Sequence, residues 1–258
     1  LNDASASAGL PEDTLFEAIV AGVSGYEGTV YGAAPALPAR TFELRHDAPV
    51  AHAGAFGGED GIVVIAGTGS VAYGKDASAN EAIAGGWGYL FGDEGSAFWL
   101  AVHALRFAMQ REDEGRAHPF AALACQHFGA DSLRELSRAF YSGAVSRTAL
   151  AAFAPHVFQL AAEGKDDAAV LLVKLAGAGA LASLAEHVKA RLPGQPKRVA
   201  LCGGMFQNEL LRSATTEELR TRGFDVCKPR YGPASGALLL AYRAAGMPAV
   251  ELGTASAS

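Results

Sequence analysis

The sequence is poor in sulfur and in basic charge. Its three cysteines, Cys125, Cys202 and Cys227, form no C-x-x-C pair, so neither a disulfide framework nor a cysteine zinc site is indicated. A reducing, cytoplasmic setting is the simplest expectation. Lys and Arg number 21 against 27 Asp and Glu, a net charge of −6, which argues against a nucleic-acid binder, whose footprint is basic. No apolar run approaches the roughly 20 residues of a membrane span, and no charged, apolar and small-residue succession reads as a signal peptide. The chain begins at Leu1, not at methionine. Tandem repeats and low-complexity tracts are also missing.

Hydrophobic residues make up 50% of the 258, enough for one large domain or two modest lobes with their own cores. The first third alternates short apolar runs with glycine and proline. FEAIVAGVSG reads as a strand ending in a glycine turn, after a polar helical remnant around Asn2 to Ala8. A strand near Thr41 to Leu44, a turn at His46-Asp47 and a short helix follow. GIVVIAGTGSVAYGKD reads as a buried strand, a glycine turn and a second strand. From about Gly95 to Arg191 apolar residues recur at three- and four-residue spacing, the period of amphipathic helices. RVALCGGMFQNELL and FDVCKPRYGPASGALLL then return to strand, glycine turn and helix. This pattern predicts an α/β protein, two-lobed with a cleft.

Two nucleotide motifs fail around Gly67. Gly67, Gly69 and Ala72 fit G-x-G-x-x-[GA], but a dinucleotide site needs a helix directly after the glycines, and Val71-Ala72-Tyr73 continues as strand. Gly69 to Lys75 spells G-x-x-x-x-G-K, yet Asp76 stands where a phosphate loop needs Ser or Thr. A strand–GTGS–strand hairpin remains. It is either an ordinary turn or one whose backbone N–H groups, with the Thr68 and Ser70 hydroxyls, approach a phosphate.

Asp47 stands at a strand end before a helix, as its N-cap with Pro49 in the first turn or as a general base. Asp93 and Glu94 precede the helix near Gly95, where carboxylates complement the helix dipole. That leaves Trp87 unexplained. An indole in Gly85-Gly86-Trp87-Gly88 packs poorly as core, but its face suits stacking on a sugar, with nearby carboxylates accepting from hydroxyls. His103, His127 and His187 lack partners at ligand spacing, and no metal-ligating residue is expected. The helical stretch Ala168 to Ala190 reads as core or dimer surface.

Taken together, VAGVSG, HDAPVAHAGAFGG, GIVVIAGTGS, GGWGYLFGDEGSAFW and VALCGGMFQNELL resemble the BadF/BadG/BcrA/BcrD ATPase family, most closely its N-acetylglucosamine and glucosamine kinase branch. The blocks extend from about residue 10 to 245. The resemblance implies an actin-like ATPase fold with two ribonuclease-H-like lobes, ATP and Mg2+, an amino-sugar substrate and a cytoplasmic homodimer. Residues 1–58, joined by the C-terminal helix around 236–247, would form the first lobe and 59–235 the second. Carried over position by position, Asp47 falls on the catalytic aspartate. Gly67, Thr68 and Gly69 fall on the ATP-contacting loop, and Gly203, Gly204 and Asn208 on nucleoside contacts. Ser24, Ser70, Val71, Gly86, Trp87, Gly88 and Asp93 fall on sugar contacts. The family's opening hairpin, of the type DGGGTKT, has no counterpart here, which implies a first lobe incomplete at its N-terminus. His46 stands where asparagine is common. The family's other branch, ATPases that activate 2-hydroxyacyl-CoA dehydratases through an iron–sulfur cluster held by subunit cysteines, and a sugar-binding sensor without kinase activity are the alternatives.

Overall fold

The computed structural model describes residues 6–253 apart from positions 12, 27, 31, 34, 165, 248 and 249. Of the helical remnant expected at Asn2–Ala8, positions 2–5 lie outside the described residues. The chain divides into two compact units, 1–59 with 229–258, and 60–228.

In the first unit β1 (Phe16–Val23) pairs in parallel with β2 (Ala39–His46), Val20 opposite Glu43 and Val23 opposite His46. Helix α1 (Asp47–Phe56) follows β2 directly, without the turn expected at His46-Asp47. The His46 side chain makes this possible by accepting from the Ala48 N–H, a cap that satisfies one orphan donor of the first turn.

The second unit is built on a five-stranded sheet ordered β5-β4-β3-β6-β7. Strands β3 (Gly61–Ala66), β4 (Ser70–Lys75) and β5 (Glu81–Gly85) form an antiparallel meander. β6 (Arg198–Cys202) joins β3 in parallel, and β7 (Asp225–Cys227) joins β6 in parallel. β3 lies inside the sheet with Ile62, Val63 and Val64 fully buried, which is why it reads as a continuous apolar run rather than an alternating one.

Between β5 and β6 the chain is helical: α2 (Ala97–Asp113), α3 (Pro119–Phe128), α4 (Leu133–Tyr141), α5 (Arg147–Ala151) and α6 (Ala154–Glu163). Ser96, Ser132 and Ser146 cap α2, α4 and α5 by accepting from the N–H three residues on. A continuous helical run follows: α7 (Asp167–Val170), a π segment (Leu171–Gly177) and α8 (Ala178–Arg191). His118 Nδ1 accepts from the Phe120 N–H, and its Nε2 lies 2.9 Å from Asp166 Oδ2. Asp166 Oδ1 in turn accepts from the Ala169 N–H, so one His–Asp pair starts both α3 and α7.

The run from Asp167 to Arg191, with an 18-residue window of mean hydropathy 1.9, is long and apolar enough to cross a membrane, which overturns the expectation that no run approaches that length. In the molecule its second half lies on β3, β4 and β5, with Leu181, Ala182, Ala185 and Val188 fully buried. It is the core helix of this unit. A Cβ added to Gly74 would stand 2.6 Å from Val188 Cγ1, so the glycine lets this helix sit directly on β4.

After β6 come a 3-10 turn (Gly204–Gln207), α9 (Glu209–Thr221), β7 and α10 (Pro233–Ala244). Helix α10 returns to the first unit and packs on α1. A side chain at Gly236 would overlap the Val50 carbonyl and stand 2.6 Å from the Gly54 nitrogen, so the two helices meet backbone to backbone.

Candidate functional site

Asp47 is not the helix cap that the sequence allowed. His46 takes that part, leaving Asp47 in the first turn of α1 with its carboxylate at the positive end of the helix dipole. His46 Nδ1 lies 2.9 Å from Asp47 Oδ1, but its lone pair is already engaged by Ala48. With the ring neutral this is a contact between two acceptors, and Oδ1 is buried without a hydrogen bond among the described residues. Ser24 stands in the turn after β1 and is exposed. Both belong to the first unit.

The remaining candidates belong to the second unit. Gly67, Thr68 and Gly69 form the turn between β3 and β4, and the hairpin read from the sequence is present. The turn is tied to the start of α2. The Ala97 N–H donates to the Gly67 carbonyl at 2.9 Å, and the Phe98 N–H to the Thr68 carbonyl at 3.4 Å. Gly67 and Thr68 line a cavity of about 750 Å³ together with Gly204 and Asn208. Its other wall comes from α5 and α6, where Ala151, Ala152, Ala154, Pro155, Phe158 and Ala162 present small or apolar faces. Asn208 also caps α9, its Oδ1 accepting from the Leu210 and Leu211 N–H groups, which leaves its amide donors for a ligand. Gly203 adopts φ 101°, and a Cβ there would overlap the Ala66 carbonyl. The chain therefore crosses the end of β3 at closest approach, which only glycine permits. An apolar cavity beside a glycine turn suits a nucleoside and its phosphates.

Asp93 differs most from its sequence reading. Helix α2 starts at Ala97 under the Ser96 cap, so neither Asp93 nor Glu94 caps it. Asp93 is 4% exposed and holds φ 62°, a left-handed conformation unusual for a residue with a Cβ. Its Oδ1 accepts from the Ser70 N–H at 3.1 Å, and its Oδ2 from Arg147 Nη2 at 2.7 Å. Ser70 Oγ donates to the Glu94 carbonyl at 2.8 Å. The GTGS turn and the loop before α2 are thereby locked together. Gly69 is the keystone, because a Cβ there would stand 2.8 Å from Asp93 Oδ1 and 3.0 Å from Arg147 Nη2. Ser70 and Val71 are buried, so Ser70 meets this site through its backbone N–H.

Gly86 and Gly88, at φ 73° and 79°, bracket Trp87, which is 75% exposed. The indole is not a core residue. Tyr89, Leu90 and Phe91 are exposed beside it. Arg147, which the sequence reading missed, lies over the Tyr89 ring at 5.2 Å and the Phe98 ring at 5.8 Å. Its partner Asp93 is 54 positions away, and no local pattern ties the two. The cysteines are free. Burial pushes the Cys202 thiol up to about 11, with Cys227 nearby adding to it.

Comparisons with known proteins show what the chain is similar to. The model of the BadF/BadG/BcrA/BcrD ATPase family matches residues 1–241. The N-acetylmuramic acid/N-acetylglucosamine kinase of Clostridium acetobutylicum is 41% identical over 69 residues, which are 27% of this chain and 22% of that kinase. A Chromobacterium violaceum structure, provisionally assigned as an N-acetylglucosamine kinase, superimposes with a TM-score of 0.73 at 29% identity, over 93% of this chain and 81% of its own. A similarly assigned Porphyromonas gingivalis structure shares the fold at a TM-score of 0.58 and 20% identity, over 79% and 67%.

Proposed function

The chain belongs to the BadF/BadG/BcrA/BcrD ATPase family, and from that premise we propose that it phosphorylates an amino sugar, glucosamine or N-acetylglucosamine, at the 6-hydroxyl. The observation that carries the proposal is the cavity of about 750 Å³ that gathers Gly67, Thr68, Gly204 and Asn208. These are four of the positions that the sequence resemblance assigns to the nucleotide. On the same reading the fold is that of the actin-like ATPases, with 1–58 and the C-terminal helix in one lobe and 59–235 in the other.

The residues present fit ATP. The small apolar wall of α5 and α6 takes the base, and the Asn208 amide donors take the nucleoside. The glycine turn, open at Gly67 and with the Thr68 hydroxyl beside it, takes the phosphates, as backbone N–H groups do in other nests. ATP, bound with Mg2+, supplies the phosphoryl group. The chain's own residues position and deprotonate the acceptor, which is most of what phosphoryl transfer asks of a protein. Asp47 accepts the proton of the sugar hydroxyl. Trp87 offers the sugar an exposed flat face. Asp93 fixes the Ser70 N–H and through it the GTGS turn, and it acts on the sugar through Arg147, which it holds.

The test is a coupled ATP assay over amino sugars, with mass-spectrometric identification of the 6-phosphate. Asp47→Asn is expected to lower kcat by a factor on the order of 10² to 10⁴ with sugar affinity little changed. Unchanged turnover in that variant, or no sugar phosphorylation by the wild type, overturns the proposal.

A further inference from the structure

Within the second unit, Arg147 puts a partly exposed positive charge against the GTGS turn, and the exposed Glu94 meets that turn through its backbone carbonyl. Asp93 has a side chain 5% exposed, with both oxygens taken by Ser70 and Arg147. The Arg147 side chain is 38% exposed. One guanidinium nitrogen reaches Asp93, while Nε is buried without an acceptor among the described residues, so the fold does not spend all five donors. The stack on Tyr89 and Phe98 holds the guanidinium plane in place. The Gly69 contact places it against the GTGS turn, and Tyr89 carries it to the loop that presents Trp87.

We infer that Arg147 is a specificity-determining residue of the sugar site, and that it selects amino sugars whose nitrogen is acylated over those with a free amine. The inference rests on the amino-sugar kinase reading above and narrows it. Glucosamine brings an ammonium group at neutral pH, and like charges brought together out of water discriminate strongly. An acetamido carbonyl, or a carboxylate carried elsewhere on the sugar, instead accepts from the guanidinium. Asp93 does not cancel this preference, because it is withdrawn behind the arginine that it binds. Asp93 is the positioning partner, and Arg147 is the group that the substrate meets.

The experiment measures binding of glucosamine, N-acetylglucosamine and N-acetylmuramic acid by calorimetry without nucleotide, beside kcat/KM for each. The wild type is expected to prefer N-acetylglucosamine over glucosamine by at least about tenfold at pH 7. That ratio is expected to fall at about pH 9, where the sugar amine is largely neutral and Arg147 is still charged. Arg147→Gln should shrink the ratio to within about threefold, glucosamine gaining as the acylated sugars lose, whereas Arg147→Lys should keep most of it. A larger loss for N-acetylmuramic acid than for N-acetylglucosamine identifies a carboxylate as the stronger acceptor, and equal losses identify the acetamide; either supports the inference. If Arg147→Gln weakens all three sugars by one factor, the residue is merely structural and the inference falls. It falls equally if the wild type prefers glucosamine, or if its preference ignores pH, which needs no variant to fold. If the wild type binds no sugar, the kinase reading falls first and takes this inference with it.

Discussion

Adding one methyl group at Gly69 tests the lock between the GTGS turn and Asp93. Gly69 lies outside the left-handed region, so alanine is allowed by the backbone and only its surroundings resist it. Its Cβ would meet the Asp93 carboxylate at 2.8 and 2.9 Å and Arg147 Nη2 at 3.0 Å. Arg147 is long enough to yield. Asp93 is not, being buried and held at φ 62°. The methyl therefore pushes the carboxylate off the Ser70 N–H, a charge-assisted bond worth about 1.5–3 kcal/mol, or it strains the turn by a similar amount, as overpacking does. Gly69→Ala is expected to cost about 1–3 kcal/mol, or about 2–12 °C in Tm for a unit of this size.

Gly67→Ala is the matched control. It sits two residues away in the same turn, with nothing within 4 Å of its Cβ and no left-handed φ, so its cost should stay within about 0.5 kcal/mol. Both tryptophans, Trp87 and Trp99, belong to the second unit, so their fluorescence in a urea titration follows the relevant unfolding. Equal midpoints for the two alanine variants would refute the lock.

Three further outcomes follow from other parts of the molecule. Hydrogen bonds hold the Asp76 carboxyl below its usual range, the Asn80 side-chain amide foremost, with the N–H groups of Gly194, Asn80 and Ser78. The stability this gives is complete above the unfolded value of about 3.9 and is lost as pH falls through the lower folded value. The denaturation midpoints of wild type and Asp76→Ala should therefore converge below about pH 4, and a gap constant from pH 7 to 3 would contradict it. Cys202, at about 11, should alkylate at pH 8 roughly two hundredfold more slowly than an exposed thiol, read by mass spectrometry; reaction at the exposed rate would refute its burial. Gly236→Ala should destabilise the first unit by about 3 kcal/mol or more, because the obstruction is the Val50 carbonyl and Gly54 backbone rather than a movable side chain. Hydrogen exchange in α1 reads this, and unchanged protection there would count against the backbone contact.

What the sequence made legible was local. The GTGS hairpin was readable because Val71-Ala72-Tyr73 cannot begin a helix after the glycines, and the β3 run because a strand buried on both faces has no polar alternation. The start of α1 was placed within a residue or two, yet the cap went to Asp47. A histidine lone pair as acceptor is uncommon at that position, and only the backbone angles reveal that His46 provides it. Asp93 was singled out, but its left-handed backbone and its two partners were not, because Ser70 and Arg147 are 23 and 54 positions away. The helix over Asp167–Arg191 was read as apolar and helical. Its π turn leaves no residue signature that a period of 3.6 exposes.

That π turn gives the helix slack in its length. A π turn closes i→i+5 rings and so holds one residue more than the α turn it replaces. Removing one residue between Leu171 and Gly177 is therefore absorbed by a return to α geometry and leaves Leu181, Ala182, Ala185 and Val188 on the sheet. The same deletion between Ala178 and Leu181, where each residue advances the helix by about 100°, would turn them off it and would move Leu181, which a Cβ at Gly95 would already meet at 2.6 Å. Leu171 and Leu175 are exposed and tolerate exchange. Related sequences should therefore vary in letter at those two positions and by one residue in length within the π turn, while keeping the residue count from Ala178 to Arg191 unchanged.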